Sequence, residues 1–268
     1  MRSRFSDQLK FRLIVTIVLL SLGGCGSKSD PVLEETFEQL YAVEPTIDVT
    51  IQNGDGAILI YGSNVSEMRV HAVKKAYSRS RLTQIGINVS ASSRSVSITT
   101  KFPAKPKWGL SDRSGTVDYT IVVPGTANIS GVTLDAGEIL LDGMRGQATR
   151  ARLGDGRLFV RNCFAGFDVA VRRGNLIVSY DWWEQSNFSA HGNIAQGNAW
   201  AFFPPDAALN LVAHAVHGKI GSDFESAAVT TSTFAVGTKM NAPVNGGSDA
   251  TIKLHVVEGN IKIVEATP

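Results

Sequence analysis

Hydrophobic and polar residues alternate with a period of two through most of the chain, and glycines interrupt the alternation. Apolar residues stand five and three positions before a glycine, and again two and four positions after it. Around Gly137 these positions hold Val132, Leu134, Ile139 and Leu141. Alternation with this period is typical of a strand with one buried face. Each unit is therefore predicted to be a strand, a glycine turn and a second strand, because glycine adopts positive φ at low steric cost.

The unit recurs along the chain. Triplets of a glycine, a polar or charged residue and an aliphatic residue begin at Gly137, Gly174, Gly192, Gly218 and Gly259. Two longer variants are Gly54-Asp55-Gly56 and Gly154-Asp155-Gly156. A mean interval of about 20 residues is typical of repeat proteins whose units stack on one another. The pattern predicts an all-β fold, a single-stranded, β-helix-like β-solenoid with short Gly-Asn or Gly-Asp turns.

The repeat is less regular in the N-terminal half. Residues 45–123 contain strand patterns of uneven length, and we predict that they form an N-terminal β region at the start of the domain. Residues 124–268 are predicted to be the repeat stack, with about six or seven rungs. The segment 251–263 resembles a hairpin and is expected to be the last rung or its cap. Helical spacing is found in one segment, Val32–Leu40.

The first 24 residues have the pattern of a secretory leader. Four basic residues precede an uncharged apolar run at 13–20, which is shorter than the roughly 20 residues that a spanning helix needs. Leu22-Gly23-Gly24-Cys25 resembles the bacterial lipoprotein box. We therefore predict a signal peptide at 1–24, a lipid on Cys25 and a lipidated tether at 25–44 before the domain at 45–268. That lipid would be the membrane contact.

The charge balance and the two cysteines limit the classes of function that the chain can have. The chain has 26 basic and 24 acidic residues, and 22 and 23 remain when the leader is removed. A nearly neutral mature chain argues against a general nucleic-acid binder. With Cys25 lipidated, Cys163 is left without a disulfide partner. We expect Cys163 to be buried and inert, and the alternative is a reactive or intermolecular thiol.

Several short motifs together resemble a known bacterial family. They are Asn53-Gly54-Asp55, Tyr119–Pro124, Gly137-Glu138-Ile139, Pro205–Phe224 and Glu258–Ile261. In order and spacing, over residues 45–265, they resemble the domain of unknown function named "putative adhesin", which is similar to head domains of auto-transporter adhesins. The resemblance implies a β-solenoid on the cell envelope and brings no catalytic residues with it. The turns depart from the family pattern, with Glu, Lys and Asn where Asp is usual.

Three arginines are the first candidate site. If the positions five and three before a glycine point inward, the positions four and two before it point outward. Arg150, Arg152 and Arg172 occupy such outward positions on two neighbouring rungs. They would form a patch for phosphate or carboxylate groups of envelope glycans, because the guanidinium fork matches both anions. The alternative is a solvated face neutralised by acids nearby: Asp135, Asp155 and Asp168.

An aromatic segment is the second candidate. Tyr180, Trp182 and Trp183 stand where one repeat is longer than the others. Aromatic side chains bury a large area, so we expect this segment to fold back over an edge of the core. The alternative is an exposed contact for a glycan or a protein partner.

Acidic turns suggest two further chemistries. Glu138 with Asp155 would be the carboxylate pair of a glycan lyase or hydrolase, at a separation of about 5–9.5 Å. Glu138, Asp155, Asn175 and Asn193 would form a calcium ladder if the turns align. Because any stack with acidic turns yields such pairs, ordinary turn chemistry is the preferred interpretation.

The histidines indicate no metal site. His214 and His217 are three apart in a predicted strand, so they face opposite sides. Phosphate-loop, dinucleotide-binding and zinc-ligand motifs are absent from the sequence. The sequence therefore predicts a non-enzymatic protein without a metal or cofactor.

The predicted role is presentation from the bacterial cell envelope, most simply from the outer membrane, on its surface or its periplasmic side. A lipid would fix one end, and the rungs would present residues that bind envelope glycans or proteins. Two alternatives remain: a scaffold or sensor within the envelope, and a polysaccharide lyase or hydrolase. Binding of nucleic acid is not expected.

Overall fold

The computed structural model describes residues 32–104, 115–224, 229–231 and 237–266, with only the backbone of 229–231. The predicted signal peptide, Cys25 and the first part of the tether lie outside these ranges. Within them the chain forms sixteen strands and one six-residue helix, α1 (Arg79–Gln84). The prediction of an all-β fold is confirmed.

The strands belong to one large sheet. In the first half they are β1 (Leu33–Ala42), β2 (Asp48–Ser63), β3 (Glu67–Ala76), β4 (Gly86–Ala91), β5 (Ser95–Lys101), β6 (Thr116–Pro124), β7 (Asn128–Asp142) and β8 (Thr149–Arg161). In the second half they are β9 (Phe167–Ser179), β10 (Ser189–Phe203), β11 (Leu209–His217), β12 (Ile220–Ser222), β13 (Val229–Thr231), β14 (Thr238–Val244), β15 (Thr251–Glu258) and β16 (Ile261–Glu265).

Five long strands, β2, β7, β8, β9 and β10, lie parallel and in register in that order. Each has a glycine at the same level of the sheet: Gly56, Gly137, Gly156, Gly174 and Gly197. We call each strand a rung, the part before its glycine the first arm, and the part after it the second arm. The register makes equivalent side chains of neighbouring rungs stack on one another.

The glycine changes the phase of the alternation. In β8, Ala151 and Leu153 are buried before the glycine, and Leu158 and Val160 are buried after it. The spacing from 153 to 158 is odd, so a regular strand would turn one arm's apolar residues to solvent. The glycines of the five rungs have φ between 121° and 137°, a conformation that side chains rarely permit. Both arms can thereby face one core.

The order of rungs departs from the order of the chain at both ends. β15 and β16 pair with the two arms of β10, and β11 and β12 lie beyond them. The segment 251–263 is thus inside the stack, not its last rung or cap. At the other end β2 pairs directly with β7, so the predicted division at 123/124 has no counterpart in strand pairing.

The predicted tether ends earlier than residue 44. Residues 33–42 form β1, which pairs antiparallel with β3, and Glu35 forms an ion pair with Lys74 at 2.5 Å. Leu33, Phe37 and Tyr41 pack against the core. The helical spacing predicted at Val32–Leu40 is therefore wrong; Leu33 and Phe37 are four apart, and four is also a multiple of two that suits one face of a strand. Pairing with β3 determines that this segment is a strand and not a helix.

Two parts of the predicted turn pattern were wrong. Gly137 and Gly174 lie within continuous strands and not in turns between two strands. The repeat position predicted at Gly192 was also wrong. Gly192 lies inside the first arm of β10, where an added β-carbon would meet Leu176 and Leu254 of the core. The glycine of this rung in the stack is Gly197, with φ of 135°. Both glycines precede an asparagine, and only the register with Gly174 distinguishes them.

Candidate ligand-binding groove

Charged and polar residues stand in register across the first arms of β8, β9 and β10 and across β15, β11 and β14. Two successive levels cross the strands from β8 towards β14. One level contains Arg150, Asp168, His191 and Lys253. The next contains Arg152, Ala170, Asn193, His255, His214 and Lys239. We call these two levels the basic face.

A groove of about 480 Å³ crosses the basic face. Arg152, Arg172 and one acid, Asp135, line one side, and His255 and Val257 line the other. Alanines at 170 and 195 also line it, and their small side chains leave room between the longer ones. The groove thus combines apolar lining with cationic and imidazole groups at its sides, an arrangement typical of ligand sites.

The three predicted arginines are exposed, but they are not equivalent. Arg152 donates to the Asp168 carboxylate at 2.7 Å and to its carbonyl at 2.8 Å. Arg172 donates to Asp155 at 2.9 Å. Arg150 lies beside Asp168 in a neighbouring depression and has no ion pair within the described ranges. This face is therefore partly neutralised, because Arg152 and Arg172 are paired with acids and Arg150, in the described part of the chain, is not.

Further lysine and histidine side chains join the arginines from distant parts of the sequence. Lys253 and His255 come from β15, His214 from β11 and Lys239 from β14. Neither Lys239 nor Lys253 has an ion-pair partner in the part of the chain that the structure describes. The sequence contained no local signal for them, because β15 reaches this face by inserting between β10 and β11.

The aromatic segment mainly closes the core. Tyr180 is buried, and its hydroxyl donates to the Cys163 carbonyl at 2.9 Å. Trp183 is half-buried and packs edge-on against Tyr180, with ring centroids 5.2 Å apart. Trp182 is 46% exposed. Only Trp182 of the three presents a large surface to solvent.

Hydrogen bonds and a cation–π contact hold this segment in place. Arg145 makes two hydrogen bonds to Glu184, at 2.6 and 2.8 Å, and its guanidinium lies 5.1 Å from the ring centre of Phe164. The Trp182 indole also donates to Glu184 at 2.7 Å. These bonds, Arg145 first, lower the pKa of Glu184 to about 2. The charged contacts therefore orient the segment over the aromatic cluster.

Cys163 is fully buried, as expected from the sequence. Its thiol donates weakly to the carbonyls of Arg161 and Leu141, at 3.3 and 3.5 Å. Burial raises the pKa of this thiol to about 12. Since the thiolate is the nucleophile, Cys163 is inert while the fold is closed.

We predict that Cys163 reacts with a thiol reagent about a thousandfold more slowly in the folded protein than in urea, because its thiolate is scarce and shielded. The measurement is absorbance with Ellman's reagent on the Cys25→Ser variant, in which Cys163 is the one remaining cysteine. Equal rates in the two states would contradict burial of the thiol.

The carboxylates proposed for hydrolysis are occupied by arginines. Glu138 forms an ion pair with Arg157 at 2.9 Å. Asp155 accepts two hydrogen bonds from Arg173, at 2.6 and 2.8 Å, and one from Arg172. Hydrogen bonding from Arg173 is the main cause that lowers the pKa of Asp155. A general acid needs the opposite shift, so Asp155 is poorly suited to donate a proton.

The calcium ladder does not align. Glu138 is level with Arg157 and, one rung further, with Asn175. Asp155 is level with Arg173, and Asn193 lies in a first arm. No group of three or more metal-ligating side chains occurs within the described ranges.

Comparison with known proteins gives fold resemblances at low similarity. No family model matches the sequence, and no curated protein matches it. A solved structure named a putative cell adhesion protein, from Clostridium sporogenes, is 13% identical, covers 87% of this chain and 100% of its own, and has a TM-score of 0.49. A putative adhesin from Bacteroides fragilis is 11% identical, with coverages of 86% and 97% and a TM-score of 0.32.

A third solved structure, a putative lipid binding protein from Parabacteroides distasonis, is 11% identical, with coverages of 87% and 97% and a TM-score of 0.27. The adhesin names agree with the resemblance found in the sequence motifs. At these TM-scores the likeness does not extend to function.

Helices contribute little to the described ranges. None there is long and apolar enough to cross a membrane.

Proposed function

We propose that this protein is a non-catalytic binding protein of the bacterial cell envelope. Its parallel rungs would act as the rigid body of a β-solenoid, and its basic face would bind the carboxylate or phosphate groups of a surface glycan. The observation that carries the proposal is the groove at Arg152, Arg172 and His255, set in a face with unpaired cations.

Charge supports an anionic ligand. Arg150, Lys239 and Lys253 are exposed cations without an ion pair in the described ranges, and each is free to meet an incoming anion. Arg152 and Arg172 have side chains that are 50% and 63% exposed. Exposed ion pairs contribute little to stability, so an anionic ligand can compete with their acids.

Shape supports a sugar. A volume of about 480 Å³ is in the range of small-ligand sites. The apolar lining around Ala170 and Ala195 can contact the C–H faces of a sugar ring, while the arginines reach its charged substituents. A rigid stack fixes the spacing of these groups before binding, which reduces the entropy cost of association.

The lipid on Cys25 remains part of the proposal. It would tether the N-terminus to the membrane, most simply the outer membrane, and leave the basic face free to bind. An envelope scaffold that binds a protein partner is the alternative. It predicts no affinity of the basic face for anionic polysaccharide.

We expect the protein to bind polygalacturonate, a carboxylate polymer, with an affinity that falls as salt increases. Changing both Arg152 and Arg172 to Gln should weaken binding about a hundredfold, because a hydrogen bond to a charged group contributes about 1.5–3 kcal/mol. Biolayer interferometry at two salt concentrations measures this, with polyphosphate as the phosphate probe.

The matched control is Arg157→Gln. Arg157 is also exposed and paired with an acid, Glu138, but it lies on a second arm. Arg152→Gln and Arg172→Gln taken singly lose the same one charge as this control and should each weaken binding about tenfold, whereas the control should leave affinity unchanged. Absence of binding to both polymers, or an equal loss in the control, would contradict a site on the basic face.

A further inference from the structure

Two histidines that are distant in sequence meet beside the groove. His214 of β11 and His255 of β15 are direct partners in the parallel register. Their ring centroids are 5.0 Å apart, with an angle of 52° between the planes. In the described part of the chain this is the one pair of imidazoles in contact. Both side chains are half-buried, so each ring has a packed side and an open side.

We propose that His214 and His255 together bind one divalent transition-metal ion, Cu²⁺, Ni²⁺ or Zn²⁺, through one ring nitrogen each. Imidazole suits these three metals, and Cu²⁺ stands highest in their order of affinity. Metal–nitrogen bonds of about 2 Å place two ligand nitrogens within about 4 Å of each other. Small rotations of the two rings would bring their nitrogens to that separation. Water would complete the coordination.

The sheet holds the two ligands in place before the metal arrives. β15 has parallel neighbours on both sides, β10 and β11, and β11 is paired in turn with β14. The two backbones are therefore fixed at the spacing of adjacent strands. Binding then orders only side-chain rotations, which makes the second nitrogen an effectively intramolecular ligand.

The surroundings of the two histidines have two opposite effects on metal binding. Burial first, and then Lys239 and His255, lower the pKa of His214, and this direction favours the neutral imidazole that binds a metal. The ammonium of Lys239, whose residue is level with His214 on β14, would repel a metal cation. Removal of Lys239 should therefore strengthen binding.

The test uses Cu²⁺ alone with the untagged protein, independently of any glycan. By isothermal titration calorimetry we expect one site per chain that weakens at least about tenfold in His214→Gln and in His255→Gln, the scale on which metal sites respond to altered ligand shells. Lys239→Gln should bind several-fold more tightly. His217→Gln, an exposed histidine at the end of β11, is the control and should bind like the unchanged protein.

Electron paramagnetic resonance of the bound Cu²⁺ gives a second readout. Two coordinated nitrogens are expected in the unchanged protein and one in each single variant, with the same thermal unfolding of all metal-free proteins. An equal loss of affinity in His217→Gln, or no change in either proposed ligand variant, would overturn the site. Anion binding by the basic face would remain a separate result.

Discussion

Replacement of Gly156 by alanine is expected to lower the free energy of unfolding by about 4 kcal/mol. Its φ is 137°, which side chains rarely adopt, and an added β-carbon would lie 1.8 Å from the Gly137 carbonyl oxygen. That oxygen belongs to backbone fixed by pairing on both sides. Neither strand can move away without losing hydrogen bonds between the strands. The cost of the strained φ and the cost of the steric overlap therefore add in the free energy of unfolding.

Urea unfolding followed by tryptophan fluorescence measures the effect. Gly131→Ala is the matched control, because Gly131 lies in β7 with nothing within 4 Å of an added β-carbon. This change should be neutral, or stabilise the protein by up to about 1 kcal/mol, because alanine lowers the conformational entropy of the unfolded chain. Equal stability of the two variants would mean that the glycine stack does not constrain the rungs.

Truncation of Tyr180 to alanine is expected to cost about 4 kcal/mol, near the values for buried aromatic residues. Its ring contacts those of Phe164, Trp183 and Phe203, with centroids 5.2, 5.2 and 5.8 Å away. The change opens a cavity at the centre of this cluster. It also leaves the buried Cys163 carbonyl without the hydroxyl that bonds to it.

Trp182→Ala separates the two interpretations of the aromatic segment. Because this side chain is 46% exposed, we expect a loss below about 1 kcal/mol, the scale of one side-chain hydrogen bond. Chemical denaturation of both variants, with Tyr180→Phe to isolate the hydroxyl, measures the difference. A small loss for Tyr180→Ala would argue against the segment as a cover of the core.

The candidate site shows where sequence reasoning stops. Arg150 and Arg152 could be assigned to the outward face of a strand, since alternation is a local property. The residues that β11, β14 and β15 bring to the same face could not be assigned from the sequence. The parallel register between strands far apart in sequence depends on how the whole core packs. His214 was therefore compared with His217, and its contact with His255 was missed.

The sequence by itself determined the all-β class, the alternation within each arm, the presence of a positive-φ glycine between the two arms and the burial of Cys163. These follow from side-chain size, burial and φ preference over a few residues. Only the tertiary structure decided that Gly197 and not Gly192 enters the stack, that residues 33–42 form a strand, and that β15 lies between β10 and β11. Each depends on long-range strand pairing, whose energy comes from partners distant along the chain.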